Sequence, residues 1–162
     1  RSSDLELADL LRQTLAAQQR AEHSLGEELA LVQPFLALMQ ARFGPERLVV
    51  QIEADDAARA CRLPALLLLA PVENAVKHDV ARHRGRVLVR VAASRRGDRL
   101  HIEVRNQGDA PVPEPAAPDP DGGLGLRNLR ERLQARHGEA ARVSFGPDGA
   151  AMVLRLELPC GC

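Results

Sequence analysis

Two runs of alternating apolar residues face each other across a four-residue turn. Val87, Val89 and Val91 lie on one side of Arg96-Gly97-Asp98-Arg99, and Leu100, Ile102 and Val104 lie on the other. A period of two places these side chains on one face of a pleated ribbon, and the glycine-aspartate centre suits a tight hairpin. The pattern predicts two antiparallel strands with one buried face, and the Arg-Gly-Asp tripeptide reads as turn chemistry. Such a ribbon must be covered by something apolar.

The candidates for that cover are helical. Ser3-Asp4-Leu5-Glu6 and Ser24-Leu25-Gly26-Glu27 both read S-x-x-E, the capping box that opens a helix. After the second box, Leu25, Leu29, Val32, Leu36, Met39 and Phe43 form one stripe. This helix is expected to pack on its own domain, to kink at Pro34 and to end at Gly44-Pro45. The first helix is expected to stay exposed or to meet a partner. Leu48 to Ile52 alternates as a strand. A helix is predicted after Pro64, bent at Pro71, with Leu68, Val72, Ala75 and Val76 buried.

Residues 109–121, DAPVPEPAAPDPD, hold five prolines and no periodicity, which predicts a long loop. Leu124 to His137 returns to helical spacing. Val143 to Phe145 and Met152 to Leu158 read as two closing strands around a Gly146-Pro147-Asp148-Gly149 turn. About five strands and four helices result, an α+β fold with helices on one face of a mixed sheet.

Composition narrows the function. Twenty-two basic and 22 acidic side chains balance, so the chain lacks the basic footprint of a nucleic-acid binder. No apolar run approaches the roughly 18 residues of a membrane helix, and the N-terminus carries no signal-peptide pattern. Beginning at Arg1, the chain reads as a cut from something longer. Cys61, Cys160 and Cys162 show no disulfide-framework spacing, which predicts reduced thiols. The Cys160-Gly161-Cys162 tail reads as an ordinary terminus in preference to a metal site.

Three polar motifs interrupt this pattern. The apolar run LPALLLLAPV ends in Glu73, Asn74, Lys77 and His78. Asn74, Lys77 and His78 stand at i, i+3 and i+4 on one helix face, where an amide oxygen can ligate magnesium and the two cations can meet phosphate. The same residues also suit a solvated face, with Glu73 pairing Lys77. Asn106-Gln107-Gly108 follows a strand; its amide can accept a hydrogen bond from an exocyclic amine, although by itself Asn-x-Gly is turn chemistry. Gly122-Gly123-Leu124-Gly125-Leu126-Arg127-Asn128 opens a helix, and its backbone N–H groups can converge on an anion. Neither a P-loop nor a dinucleotide fingerprint is present.

In this order the motifs resemble the ATP-binding domain of sensor histidine kinases, a relative of gyrase-type and Hsp90-type ATPases. LPALLLLAPVENAVKHDV is similar to the family's N box, VRNQG to its first glycine box and GGLGLRNLRERL to its second. PVENAVKH and GLRNLRERL resemble the LytS-type branch in particular, and the likeness extends through EELALVQPFLALMQARFGPERL. The resemblance implies a two-layer α/β sandwich of the Bergerat type, residues 24–162, preceded by a helical remnant of the dimerisation and phosphoacceptor region, residues 1–23. It implies ATP and Mg2+ as ligands. Asn74 would hold the metal, with Glu73 beside it as a catalytic residue and Lys77 and His78 near the phosphates. Asn106 would meet adenine where most relatives have aspartate, with Gly108 supporting it. Residues 109–121 would form a lid, and Gly123, Leu124, Gly125, Leu126 and Asn128 would line the phosphate side. The family's phosphoacceptor box is absent from residues 1–70, where His23 is the only histidine. The histidine that receives the γ-phosphoryl group is therefore expected outside this chain. The implied partners are that histidine region, a response regulator of LytTR type and a second copy of the full-length protein, on the cytoplasmic side of a membrane-bound sensor. Two other readings are a nucleotide-free regulatory module, which Asn106 favours, and a serine kinase of the anti-sigma type, which the LytS-like wording disfavours.

Overall fold

The computed structural model describes residues 5–12, 20–82, 85–109 and 123–161. The Ser3 capping box and nearly all of the proline-rich loop lie outside these residues. Residues 5–12 are helical (α1), and Leu5, Leu7 and Leu11 are exposed while Leu10 is buried against the core. The expectation that this helix stays largely uncovered within the domain therefore holds for three of its four leucines.

The central sheet has five strands in the order β2-β4-β5-β7-β6. They are β2 (Leu48–Ala54), β4 (Val87–Arg96), β5 (Arg99–Gly108), β6 (Arg142–Asp148) and β7 (Ala151–Pro159). Only β2 and β4 run parallel, so the sheet is mixed as predicted. The β4–β5 hairpin turns through Gly97 and Asp98, with Gly97 at φ 64°, a left-handed conformation that glycine adopts without a Cβ clash. The second hairpin differs from expectation by two residues. Its β6 strand runs on to Asp148, and the turn is Gly149-Ala150 with φ 61° at Gly149. Pro147 is tolerated in β6 because that strand lies at the sheet's edge, where a missing N–H breaks no ladder.

One sheet face carries Val87, Val89, Val91, Leu100, Ile102, Val104, Leu156 and Leu158, all nearly inaccessible. Against it lie α2 (Leu25–Phe43), α4 (Leu69–Arg82) and α5 (Gly123–His137). The predicted stripe of α2 supplies Leu25, Leu29, Val32 and Leu36 to this core, with Met39 and Phe43 packed at its margin. Ser24 and Glu27 form the predicted capping box, and Gly44 ends the helix at φ 96°. The α2 helix continues through Pro34 as one element.

The opposite sheet face is charged and self-paired. Arg90 meets Glu53, Arg99 meets Glu157, and Arg105 and Arg155 share Glu103 and Asp148. A broad concavity on this face is lined by residues such as Arg90, His101, Glu103 and Glu157, of which Arg90, Glu103 and Glu157 are already held in ion pairs.

Several elements depart from expectation. Two short strands, β1 (Glu22–Ser24) and β3 (Arg62–Pro64), pair with each other, and a four-residue helix α3 (Asp56–Arg59) precedes β3. The motif-bearing helix begins at Leu69, five residues after Pro64. Pro71 therefore falls in its first turn, where the missing N–H would have no intrahelical partner, so the reason for a bend disappears. Cys61 and Cys160 are joined as a disulfide across 99 residues, with Cα atoms 4.7 Å apart, which corrects the expectation of free thiols. The pairing is a product of topology: the chain brings the start of β3 beside the end of β7, with Arg62 N–H donating to Cys160 O at 2.7 Å.

A cross-link closing so long a loop restricts the unfolded chain strongly. Cys61→Ser is expected to cost about 2–4 kcal/mol in urea unfolding of the oxidised chain. Reductant should bring the unsubstituted chain to the same curve.

His137, the last residue of α5, has a buried Nε2 with no hydrogen-bond partner among the described residues. Burial, then Arg136 and Arg99, hold its pKa below the ordinary 6.5. The unfolded chain thus takes up this proton first, and stability falls as pH drops through 6.5 until the folded-state value is passed. Thermal melts from pH 8 to 5 should show a shallower decline for His137→Gln.

Candidate nucleotide site

The α4 helix is amphipathic by position. Val72, Val76 and Val80 are buried at four-residue intervals, which turns Asn74 outward along with Lys77. Asn74 is thereby held on a packed helix while its carboxamide stays accessible. Glu73 and Lys77 form an i,i+4 ion pair. Their side chains are 39% and 68% exposed, so the pair is worth less than about 1 kcal/mol and leaves Lys77 free to exchange partners.

The second glycine motif arrives beside Asn74. Gly123 is the first residue of α5, and a Cβ built on Gly125 would lie 3.0 Å from Asn74 Nδ2. A glycine is what allows the start of α5 to approach the amide this closely. A helix start carries positive dipole character, which α5 brings to this region. Leu126 is buried in the core with Leu129 and Leu133, so its side chain anchors α5, and Asn128 is exposed.

The strand motif lies beneath α4. Asn106 is 6% exposed and donates from Nδ2 to the Ala75 carbonyl at 3.3 Å. With the NH2 group directed to a carbonyl, the Oδ1 atom is fixed as an acceptor. Gly108 is buried as the last residue of β5, opposite Val87, and Asp109 follows it exposed.

The structure thus brings Asn74, Gly125 and Asn106 together at the middle of α4, from three separate parts of the sequence. Residues 110–121 of the proposed lid, and the side chains of His78 and Leu124, lie outside the described residues. The sequence reading missed Glu28, whose carboxylate is 1% exposed. Its Oε1 accepts from Leu67 and Leu68 N–H at 2.6 and 3.2 Å, and its Oε2 accepts from Leu66 N–H at 3.0 Å. These residues lead directly into α4. A signal was present, because Glu28 falls between Leu25 and Val32 on the apolar stripe.

The fold is similar to that of histidine kinase catalytic domains. A family model described as histidine kinase matches residues 3–48. The sensor protein LytS of Staphylococcus haemolyticus is 31% identical over 149 residues, covering 87% of this chain and 25% of the relative. The sensor histidine kinase YpdA of Escherichia coli is 28% identical over 142 residues, covering 85% and 25%. The chain thus spans about a quarter of the length of these relatives. Among solved structures, the catalytic domain of histidine kinase ThkA has a TM-score of 0.58 at 18% identity, covering 86% of this chain and 94% of that one. The histidine kinase domain of the Erythrobacter litoralis blue-light activated kinase EL346 has a TM-score of 0.60 at 19% identity, covering 98% and 75%. Over most of its length the chain is thus similar to the ATPase domain of LytS-type histidine kinases.

Gly125→Ala isolates the contact between the motifs. The added methyl raises helix propensity by up to about 1 kcal/mol but crowds Asn74, so net stability should change by less than about 1 kcal/mol. The Asn74 side-chain amide resonance should nevertheless shift in nitrogen–proton correlation spectra of the ligand-free chain.

Proposed function

We propose that residues 24–162 form an ATP-binding catalytic domain that transfers the γ-phosphoryl group of ATP to a histidine carried elsewhere in the same protein. The observation that supports this best is the contact of Gly125 with Asn74 above the buried Asn106. It gathers an amide suited to a metal, a helix start and a polar group suited to a base beside the middle of α4.

The residues fit the ligand by chemistry. Asn74 supplies a neutral oxygen for Mg2+, which in turn would neutralise phosphate charge. Lys77 can leave Glu73 to meet a phosphate oxygen, and His78 would stand near the phosphates. Glu73, the neighbour of Asn74, would orient the acceptor or the metal's water. Asn106 offers Oδ1 to the adenine amine, and Gly108 keeps the strand end low enough for a ring to approach. Gly123 and Gly125, with the backbone at Leu124, would cradle phosphate, Leu126 would hold their helix in place, and Asn128 would border the site. Residues 109–121 would close over it. Catalysis on this reading is positioning and charge neutralisation around an in-line displacement, in which the phosphoryl group leaves ADP and bonds to an imidazole nitrogen.

The remaining assignments follow the same reading. Residues 1–23 would belong to the dimerisation side of a homodimer, with the phosphoacceptor histidine in that region of the protein. A response regulator, of LytTR type, would receive the phosphoryl group; ThkA has been solved in complex with the response regulator TrrA. The domain would work on the cytoplasmic face of a membrane-bound sensor, and no described helix is long and apolar enough to cross a membrane.

Calorimetric titration with a non-hydrolysable ATP analogue tests the proposal. Magnesium should tighten binding, and Asn74→Ala should remove that gain, with a loss of about tenfold or more. Absence of binding at millimolar nucleotide, with or without magnesium, would instead favour a nucleotide-free regulatory module.

A further inference from the structure

The α4 helix is fixed at both ends by charged residues that belong to none of the three motifs. At its far end, Arg47 Nη2 donates to the Val80 carbonyl at 2.9 Å. Before its first turn, Glu28 takes the N–H groups of Leu66, Leu67 and Leu68. Leu66 has φ 61°, the one positive φ of a non-glycine residue among those described, and such a conformation persists only where its surroundings hold it. The Leu68 carbonyl then accepts from Val72 N–H at 3.1 Å, within the first turn of α4.

Glu28 is itself held. His23 Nδ1 lies 2.6 Å from Oε2, and His23 is 2% exposed. Both carboxylate oxygens are therefore saturated by four partners in a site closed to water. A side chain present only to fill space could be apolar there, because burying a carboxylate costs several kcal/mol that its hydrogen bonds must offset. What an apolar replacement could not do is fix three successive N–H groups, and so the direction in which α4 leaves the turn. Asn74 lies six residues beyond Leu68, about 9 Å along the helix at 1.5 Å per residue. A small rotation at the turn thus displaces Asn74 relative to Gly125, where a Cβ would stand 3.0 Å from the Asn74 amide nitrogen.

We infer that Glu28 is a positioning residue for the site, with His23 locking its carboxylate, so that β1 is mechanically joined to the Asn74-bearing helix. The inference rests on the magnesium-nucleotide reading above. His23 belongs to β1, which follows the N-terminal helical segment in sequence and pairs with β3. A displacement of β1 would reach Asn74 through Glu28 and the turn.

The test is the magnesium factor, the ratio of Kd for the ATP analogue without and with Mg2+, measured on the full 162-residue chain. A merely structural role would change the unfolding midpoint while leaving this ratio intact in the folded protein. Glu28→Gln keeps the shape but places an NH2 group against donors. It should lower the ratio about tenfold and speed hydrogen exchange at Leu66, Leu67 and Leu68. His23→Leu should act in the same direction, and His23→Asn, whose amide can stand near the Nδ1 position, should restore the ratio. Should Glu28→Gln fail to fold, the His23 pair decides alone. An unchanged ratio in folded Glu28→Gln, or in folded His23→Leu, overturns the inference. Asn74→Ala separates the two readings: if it lowers the ratio and the Glu28 and His23 variants do not, only the positioning role fails. If Asn74→Ala leaves the ratio unchanged, the magnesium reading itself fails.

Discussion

The register of the β4–β5 hairpin is the constraint on which the site depends. Gly97 and Asp98 set it, and it places Asn106 opposite Val89 on the apolar face of the sheet. Side chains alternate with a period of two, so a slip of one residue would send Asn106 to the charged face with Arg105 and Glu103. The same slip would expose Leu100, Ile102 and Val104. Burial of those three side chains, at roughly 1.5–3 kcal/mol each, therefore enforces the register that aims Asn106 at α4. Core packing and site geometry are one requirement here.

A one-sided sheet has a second consequence. Because the opposite face carries Arg90, Glu103, Arg105 and Arg155 in mutual ion pairs, helices can cover only one side. The α2, α4 and α5 helices are crowded onto that side, and two of them carry polar motifs. Their apolar positions are spent on the sheet, through Val72, Val76 and Val80 in α4 and Leu126, Leu129 and Leu133 in α5. What remains for solvent is the junction where Asn74 meets Gly125. The meeting of the motifs thus follows from amphipathicity, with glycine removing the last steric obstacle.

Much of this was legible in the chain because long periodic segments carry their own evidence. The five main strands, the α2 stripe, the α5 stripe and the Ser24 capping box all follow from spacing. The order of the three motifs was readable too, and Asn74, Gly125 and Asn106 come together beside the middle of α4. What escaped was short or non-local. β1 and β3 have three residues each, too few to display a period, and α3 has four. The Cys61–Cys160 pair spans 99 residues, so no local spacing announces it. The start of α4 was misplaced because the strained turn at Leu66 carries no glycine or asparagine to mark it. Glu28 was hidden by its neighbour: Glu27 completes the S-x-x-E box, and an adjacent acid in a first helical turn reads as one more favourable charge. Its position on the apolar stripe was the contrary sign.

Asn106 shows how one substitution can be read twice. From sequence, an amide where the resemblance implies an aspartate lacks a negative charge, which weakens any hold on an amine. In the fold, its NH2 group faces the Ala75 carbonyl at 3.3 Å. An ionised carboxylate there would oppose that carbonyl oxygen to oxygen, inside a site only 6% exposed, and would forfeit the hydrogen bond between β5 and α4. The amide keeps that bond and retains an oxygen directed elsewhere as an acceptor. On the proposed reading, charge at the base-binding group has been exchanged for a fixed orientation and a tie to the helix that bears Asn74. The loss to the ligand and the gain to the scaffold are opposite in sign, and an amide hydrogen bond of about 0.5–1.5 kcal/mol is large enough to offset much of the first.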